Sequence, residues 1–273
     1  MPQTILITGC SSGIGRATAR LFGENGWNVV ATMRNPDDGA DLAKGNTVVA
    51  RLDVQDRGSI ARAIDDALAR FGTIDVLVNN AGFAQYGIFE AIPREKIEEQ
   101  FAVNVFGVMD VTRAVLPHMR AAKHGTIVNI SSGAGLFTLP LTSLYHASKF
   151  ALEGFSESLS YELASQNIVV KLVEPHGGVN ETAFGARTRA SAAVDPTLAD
   201  YDDFAQRTAA AFARMSAASS ITSGDVARAI LTAATDGTDQ LRYLVGDDAR
   251  GFVQAWNEES NAARVAFQRA YFR

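Results

Sequence analysis

A tyrosine and a lysine four residues apart, Tyr145 and Lys149, offer the clearest chemistry in this sequence. Four steps along an α-helix return to within ~40° of the same face, so the phenol and the ammonium would lie side by side. A cation beside a phenol stabilises the phenolate and lowers its pKa from the reference value of ~10. The pair therefore predicts a proton donor, although many solvated surface pairs have the same spacing.

The residues around this pair predict how it is positioned. An apolar run at 126–130 is typical of a buried strand, and Ser132 follows it in a small, glycine-containing turn. After Lys149, apolar residues recur at helical spacing: Phe150, Leu152, Phe155, Leu159 and Leu163. We therefore expect Ser132, Tyr145 and Lys149 to face one cleft at the carboxyl end of a strand.

A glycine-rich loop follows the first apolar run of the chain, residues 4–8, and precedes a helical apolar stripe. A strand, a glycine turn and a helix bring backbone N–H groups and a helix N-terminus to a pyrophosphate. We predict that this loop binds a dinucleotide through Gly9, Ser11, Ser12, Gly13, Ile14 and Gly15. An ordinary glycine-rich turn is the alternative. Cys10, in the same loop, is interpreted as a small filler rather than a nucleophile.

The end of the second predicted strand, residues 27–33, indicates which dinucleotide would bind. NAD-binding folds usually place a carboxylate there, bonded to the adenosine ribose hydroxyls. Here Arg34 occupies the end, and the first carboxylate is Asp37. Because an arginine pairs with a 2′-phosphate through charge-assisted hydrogen bonds, we predict NADP(H) rather than NAD(H). A solvated loop arginine is the less favoured interpretation.

Small or polar residues follow the third and fourth predicted strands, 47–52 and 75–78, and would line the same cleft: Asp53, Val54, Asn80, Ala81 and Gly82. Asp53 has two interpretations, as an acceptor for the adenine amino group or as a cap of the next helix near Asp56. Small residues at 81–82 would let the backbone pass close to a cofactor.

A long helical region begins at Pro93, a residue common in the first turn of helices. Asn104 lies on its apolar face, where an amide needs a hydrogen-bond partner. Gly107 follows about one turn later and is unfavourable in a helix by ~1 kcal/mol relative to Ala. The sequence therefore predicts a kink or close packing at Gly107.

Further apolar runs at 168–173 and 241–245 complete seven predicted strands, alternating with helical patterns. This order predicts an α/β fold, a Rossmann-type doubly wound parallel sheet of seven strands with helices on both faces. We expect one dinucleotide-binding and catalytic domain over 1–273. Within it, 176–221 would form a substrate loop or lid, and 247–273 a helical tail.

Composition narrows the possible partners. The chain has 273 residues, a net charge of −5 and one cysteine. The negative charge argues against nucleic acid or an anionic membrane surface as partner, and one cysteine allows no internal disulfide. There is no apolar run of ~18 residues to span a membrane, and the N-terminus does not resemble a signal peptide. We expect a cytoplasmic protein with no metal site.

These motifs together resemble the short-chain dehydrogenase/reductase family in its compact single-domain branch, of the NADP-preferring type. The resemblance rests on the glycine loop after Thr8, on Asn79-Asn80-Ala81-Gly82, and on Asn104, Ser132 and Tyr145-His146-Ala147-Ser148-Lys149. It extends over nearly the whole chain. Family members commonly form dimers or tetramers, so the resemblance implies a homodimer or homotetramer.

The resemblance also implies a role for each residue. Tyr145 would be the general acid in carbonyl reduction and the base in alcohol oxidation. Lys149 would lower the pKa of Tyr145 and bind the nicotinamide ribose. Ser132 would orient the substrate oxygen, and Asn104 would hold a water in a proton relay. The protein would then transfer a hydride between NADP(H) and a carbonyl or secondary alcohol.

One departure from the family pattern follows the sixth strand. The family usually has Pro-Gly and then a threonine that contacts the nicotinamide carboxamide. Here Pro175 and Thr182 are about two residues further apart, and a bulge at Gly177-Gly178 would be needed for Thr182 to reach the carboxamide. His176 lies in this stretch, either as a loop residue near the cleft or as a second acid.

Apolar residues near the predicted cleft favour a lipophilic ketone or aldehyde as substrate, with Phe83, Phe137, His176 and Phe184 as substrate contacts beside Ser132. The alternative is that the aromatic rings only pack on the core. A catalytically silent dinucleotide sensor or scaffold is a second functional class, which the presence of both Tyr145 and Lys149 disfavours. A nucleotide-sugar epimerase is disfavoured because its loop spacing and larger C-terminal domain are absent from the sequence.

Overall fold

The structure, a computed structural model, describes residues 2–176, 179, 182, 184–193, 195–218, 221–246 and 253. Except for Val253, the predicted helical tail at 247–273 falls outside this part of the chain, as does the predicted cofactor residue Gly178. Strands and helices alternate through the described residues, as the hydrophobic periodicity predicts.

Seven parallel strands form one sheet in the order β3-β2-β1-β4-β5-β6-β7. Their bounds are β1 Thr4–Ile7, β2 Asn28–Met33, β3 Thr47–Arg51, β4 Val76–Asn79, β5 Gly125–Ile130, β6 Ile168–Pro175 and β7 Arg242–Val245. The chain order reverses between β1 and β4, and ligands of open α/β sheets bind at such a switch point, outside the carboxyl ends of the strands. The predicted seven-stranded parallel sheet is confirmed.

Helices cover both faces of this sheet. In the described residues they are α1 Gly13–Glu24, α2 Arg57–Phe71, α3 Arg94–Phe101, α4 Val108–Ala122, α5 Ser143–Ala164, α6 Phe184–Ala190, α7 Asp202–Ala218 and α8 Ser223–Thr235. Side chains of a strand alternate between its faces. Ile5 and Ile7 therefore pack with Phe22 of α1 and Ile230 of α8, whereas Leu6 packs on the face covered by α2, α4 and α5. The doubly wound arrangement is confirmed.

The long helical region after Pro93 is interrupted where the glycine predicts it. Between α3 and α4, residues Ala102–Gly107 form a π-helical turn, a feature that frequently marks functional sites. A Cβ at Gly107 would lie 2.8 Å from the Cβ of Val54, so only glycine lets this turn approach the loop after β3. Gly107 thus packs closely, and the turn carries Asn104.

Most of the described part of the predicted lid region is helical. A 3₁₀ segment, Pro196–Tyr201, joins the region of α6 to α7, and Phe212 of α7 makes an edge contact with Tyr86 at 6.3 Å between ring centroids. At the start of α8, Thr222 and Asp225 form a capping box. No helix among the described residues is long and apolar enough to cross a membrane.

Candidate active site at the carboxyl edge of the sheet

Tyr145 and Lys149 lie together on α5, beside the end of β5. Lys149 is buried, with 6% of its surface exposed. Its Nζ donates a hydrogen bond of 2.7 Å to the carbonyl of Ile130, the last residue of β5. The same Nζ lies 5.7 Å from the centroid of the Tyr145 ring. The helical spacing thus puts the half-buried Tyr145 ring next to the buried ammonium, as the sequence predicts.

The protonation of this pair is controlled mainly by burial. Burial raises the pKa of Tyr145 to about 12, while a hydrogen bond with Ser132 acts in the opposite direction. Burial lowers the pKa of Lys149 to about 8, opposed by the negative charge of Glu153. The expectation that Lys149 brings the pKa of Tyr145 below its usual value is therefore not met, because desolvation of the phenolate is the larger effect and only the hydrogen bond with Ser132 opposes it. At neutral pH the phenol holds its proton.

Ser132 connects the ends of two strands to Tyr145. It is the N-cap of a 3₁₀ turn, Gly133–Gly135, and its Oγ accepts a hydrogen bond of 3.1 Å from the Ala134 N–H. It also donates a long bond, 3.4 Å, to the carbonyl of Pro175 at the end of β6. Together with its hydrogen bond to Tyr145, these contacts bring Ser132 and Tyr145 to one point.

Asn104 joins the π-helical turn to the loop after β4. Its Nδ2 donates to the Phe83 carbonyl at 2.9 Å and to Ser148 Oγ at 3.1 Å, and its Oδ1 accepts from the Phe83 N–H at 3.1 Å. Ser148 in turn donates to the carbonyl of Tyr145 at 2.7 Å. Both amide hydrogens of Asn104 are thus used to hold the loop against α5, and its part in a water relay stays a prediction.

The glycine loop and the segment after β4 pack against each other without side chains between them. Gly9 has φ +76°, and a Cβ there would lie 2.9 Å from the Cα of Ala81. A Cβ at Gly15 would lie 2.5 Å from Asn80 Nδ2. Asn80 Nδ2 also donates to the carbonyls of Thr8, at 2.8 Å, and Gly9, at 3.1 Å. This close approach leaves backbone rather than side chains along this part of the edge, which suits a phosphate group.

Three further predicted cofactor residues lie in or next to the glycine loop. Ser12 is the N-cap of α1 but makes no side-chain capping bond. Thr182 donates to the Val179 carbonyl at 3.0 Å, and its methyl group would be 3.2 Å from a Cβ at Gly13. Thr182 therefore reaches the glycine loop despite the longer spacing from Pro175. Ile14 packs against the core under α1.

Cys10 is confirmed as a filler. Its side chain is fully buried and lies 3.3 Å from the carbonyl of Ile7. Burial raises the pKa of its thiol to about 12, so the nucleophilic thiolate is absent at neutral pH.

Arg34 follows β2 directly, and its side chain is exposed. Within the described ranges it makes no hydrogen bond or ion pair. It is therefore available to an anion at the carboxyl end of β2.

The helix after β3 is capped by Asp56, not by Asp53. Asp56 accepts a hydrogen bond of 3.1 Å from the Ser59 N–H. The Asp53 carboxylate instead accepts from the Gln55 N–H at 3.1 Å. The capping interpretation of Asp53 is wrong, because Asp56 stands three residues before Ser59 and matches the capping geometry.

Several of the predicted substrate residues lie in the segments that adjoin Ser132 and Tyr145. The ring centroid of Phe184 on α6 lies 5.7 Å from that of Tyr145. Phe137 is buried, and its ring lies 6.4 Å from that of His176, which is 3% exposed. A Cβ at Gly133 would lie 2.5 Å from His176 Nδ1, so His176 packs against the turn after Ser132. Phe83 is half-buried, and its backbone is bonded to Asn104.

A family model described as short chain dehydrogenase matches residues 3–193. The chain belongs to this family.

Curated relatives of the chain include an oxidoreductase and a reductase. The chain is 37% identical over 226 residues to an uncharacterized oxidoreductase of Schizosaccharomyces pombe, over 82% of this chain and 91% of that protein. It is 42% identical over 174 residues to a 3-ketodihydrosphingosine reductase of Bacteroides thetaiotaomicron, over 64% of this chain and 63% of that protein.

Solved structures of family members have the same fold. A short-chain dehydrogenase from Streptomyces avermitilis matches with a TM-score of 0.82 and 33% identity, over 99% of this chain and 98% of its own. A short-chain dehydrogenase/reductase from Burkholderia phymatum, in complex with NAD, matches with a TM-score of 0.80 and 25% identity, over 93% of this chain and 92% of its own. A metagenomic short-chain oxidoreductase, in complex with NADP, matches with a TM-score of 0.69 and 29% identity, over 89% of this chain and 96% of its own.

His146 holds the loop that carries Ser132, a role that its sequence position alone did not reveal. Its Nδ1 lies 2.9 Å from the Ala134 carbonyl, and its Nε2 accepts from the Leu139 N–H at 2.9 Å. Burial lowers the pKa of His146, which favours the neutral ring that this pair of bonds requires. Its position next to Tyr145 on the helix is the available sequence signal.

A carboxyl pair behind this loop was also missed. Glu153 and Glu174 are buried and lie beside Arg242, whose Nε is 3.0 Å from Glu153 Oε2 and 3.4 Å from Glu174 Oε1. Burial, reinforced by the charge of Glu153, raises the pKa of Glu174 to about 8. One residue comes from α5 and the other two from β6 and β7, so only the fold brings them together.

Proposed function

We propose that this protein is an oxidoreductase that transfers a hydride between NADP(H) and a carbonyl or secondary alcohol, with Tyr145 as general acid and base. The observation that carries this proposal is the group formed by buried Lys149 with half-buried Tyr145 and Ser132 at the carboxyl edge of the sheet. Perturbed titratable groups in such a cleft favour catalysis. The family's solved members with NAD or NADP support a dinucleotide as cofactor.

The residues present fit a dinucleotide. The contacts of Gly9 and Gly15 leave room only for backbone, as a phosphate cradle requires. The glycine loop, Asn80 to Gly82, Thr182 and Lys149 would hold the cofactor, which supplies the hydride when bound. Arg34, exposed and without a partner in the described part of the chain, favours the 2′-phosphate of NADP(H).

Side chains of this protein would donate the proton that the reaction needs. Hydride addition to a carbonyl carbon builds negative charge on the oxygen, which needs a donor and hydrogen bonds positioned in advance. The pKa of Tyr145, about 12, keeps its proton on the phenol until that charge develops. Ser132 donates to the same oxygen and orients it. Lys149 offsets the charge of the phenolate once the proton has moved.

A lipophilic ketone or aldehyde is the substrate class that the surroundings of Tyr145 support. Phe184 contacts the Tyr145 ring, and Phe137 forms an apolar cluster with Leu136, Leu139, Met215 and Val253. The similarity to a 3-ketodihydrosphingosine reductase also favours a ketone.

Tyr145→Phe tests the chemistry. The wild-type protein should oxidise NADPH in the presence of ketones from an apolar panel, and more slowly with small charged keto acids. Tyr145→Phe should lower kcat at least 10³-fold while the Kd for NADPH stays within a factor of three. Substantial residual turnover by the variant would refute the role of Tyr145. A wild-type protein that binds NADPH but turns over no substrate would favour the silent sensor.

Arg34→Ser tests the cofactor preference. It should raise the Kd for NADPH about 10-fold, the loss of one charge-assisted phosphate contact, and leave the Kd for NADH unchanged. Arg70→Ser, an exposed arginine at the end of α2, is the control with the same charge change and should alter neither value. A wild-type protein that binds NADH as tightly as NADPH would overturn the preference.

A further inference from the structure

Arg187 lies over the predicted phosphate loop, although it is far from it in sequence. Its Nη2 donates a hydrogen bond of 3.1 Å to the Ser12 Oγ at the start of α1, across a separation of 175 residues. The side chain is exposed. A guanidinium therefore stands at the point where the glycine loop meets the first helix.

The partners of the two arginines at this loop differ. Arg16 donates to the carbonyl of Ser11 at 3.0 Å and to that of Asp38 at 2.8 Å, and it is ion-paired with Asp41. Arg187 meets only the neutral hydroxyl of Ser12 among the residues that the structure describes. There is no acidic residue in the first turn of α1. Arg187 thus keeps a planar set of donors for an anion, a geometry that suits phosphate.

The same short helix also reaches Tyr145. Phe184 and Arg187 are three residues apart on α6, a spacing that places them on one face. Phe184 contacts the Tyr145 ring at 5.7 Å, and Arg187 contacts Ser12. The helix therefore spans from the proposed acid to the proposed phosphate loop.

We infer that Arg187 binds the pyrophosphate of the dinucleotide, and that this contact holds α6, with Phe184, over the substrate. The inference rests on the proposed function, since it assigns a further residue to the same cofactor site. Its phosphate differs from that of Arg34: the pyrophosphate belongs to both NADP(H) and NAD(H), whereas the 2′-phosphate belongs to NADP(H) alone.

Arg187→Gln distinguishes binding of the pyrophosphate from binding of the 2′-phosphate. Arg189→Gln is the matched control on the same helix. Kd values would be measured for NADPH, NADH and adenosine 2′-monophosphate, which has no pyrophosphate. Arg187→Gln should raise the Kd for NADPH and for NADH by a similar factor, about 10-fold, and leave that for the monophosphate unchanged. Arg189→Gln should change each value less than twofold.

A second variant and a second measurement distinguish a lost phosphate contact from misfolding of α6. Arg187→Lys keeps the charge without the planar fork and should give an intermediate Kd, with Tm unchanged in both variants because the side chain is exposed. At saturating NADPH, Arg187→Gln should raise KM for an apolar ketone more than it lowers kcat, because Phe184 loses its support.

The unfavourable outcomes are distinct. If the wild type binds NADPH and Arg187→Gln binds both dinucleotides equally well, the inference fails and the proposed function stands. A loss confined to NADPH would assign Arg187 to the 2′-phosphate and overturn the inference as well. If the wild type binds no dinucleotide, the proposed function fails and the inference fails with it.

Discussion

Two buried lysines in this protein each lie against a tyrosine, in two different regions of the fold. Lys149 on α5 and Lys171 on β6 are 6% and 2% exposed. Their ammonium groups lie 5.7 Å from the ring centroid of Tyr145 and 5.1 Å from that of Tyr243, respectively. By burial and ring contact alone, the two pairs are nearly equivalent.

The two lysines differ in their charged partners. Lys171 Nζ lies 2.6 Å from Asp236 Oδ1 and 2.7 Å from Tyr243 Oη, and Tyr243 donates to Asp236 Oδ2 at 2.5 Å. Burial alone would raise the pKa of Asp236, but hydrogen bonds from Lys171 and Tyr243 hold it well below its usual range. In this group every charge has a partner, so Lys171 has a structural role.

Lys149 makes no comparable pair in the described ranges of the chain. Its Nζ donates to a neutral carbonyl, that of Ile130, and burial lowers its pKa to about 8. Apart from the attraction of Glu153, the described residues offer this buried cation only a neutral carbonyl, which costs free energy in the folded protein. That cost is understandable if the ammonium serves a ligand, as in the proposed function. The comparison therefore predicts opposite effects for equivalent substitutions.

Activity should show the largest difference between the two lysines. Lys149→Met should lower kcat/KM for ketone reduction at least 10³-fold, about 4 kcal/mol of transition-state stabilisation, because the phenolate and the cofactor ribose lose their cation. Lys171→Met should change kcat/KM less than threefold per folded molecule, since Lys171 contacts Asp236 and Tyr243 rather than the cleft. Equal losses in both variants would contradict the assignment of Lys149 to the active site.

Stability should show the reverse order. Lys171→Met should lower the free energy of unfolding by about 3 kcal/mol, the low end for a broken buried pair, because Asp236 is partly exposed. Lys149→Met should leave stability unchanged or raise it, since the substitution removes a desolvated charge. Urea unfolding of both variants at pH 7 measures this. A loss of several kcal/mol in Lys149→Met would show that Lys149 is a structural residue.

The surroundings of Lys149 can be predicted from the sequence, whereas the partner of Lys171 cannot. The strand, turn and helix that carry Ser132, Tyr145 and Lys149 follow from local periodicity, and so does their meeting at one sheet edge. The partner of Lys171 does not, because Asp236 lies 65 residues further along the chain. Arg187 and Ser12 are still further apart.

Electrostatic details were predicted least well, for the same reason. The spacing of Tyr145 and Lys149 predicts a lowered phenol pKa, yet the pKa is raised, because burial depends on the packing of α6, β5 and α5 together. The cap of α2 falls on Asp56 rather than Asp53, a choice set by where the first helical turn begins. Element types follow from the sequence, whereas side-chain partners depend on the assembled fold.

The two tyrosines extend the comparison with a smaller effect. Tyr243→Phe should cost about 1–2 kcal/mol of stability, because Asp236 and Lys171 each lose a buried hydrogen bond. Tyr145→Phe should cost less than about 0.5 kcal/mol, since the folded protein keeps its phenol neutral and Ser132 retains its bonds to Ala134 and Pro175. Thermal unfolding of both variants at pH 7 is the measurement. A larger loss in Tyr145→Phe would mean that the Tyr145 hydroxyl holds the fold together.

The smallest effect concerns pH, and its sign follows from the lowered pKa of Lys149. Below pH 8 the group is charged in both states, so the folded protein carries the full cost of the buried cation. Between pH 8 and 10.5 the unfolded chain keeps its proton and the folded protein releases it, so stability rises with pH. The stability difference between Lys149→Met and the wild type should therefore shrink by about 1 kcal/mol from pH 7 to pH 8.7. The difference for Lys171→Met should not shrink in this way over that range, because its partner Asp236 stays ionised throughout.

A pH-independent difference for Lys149 would mean that its ammonium is as well solvated in the folded protein as in water, and the contrast between the two lysines would disappear.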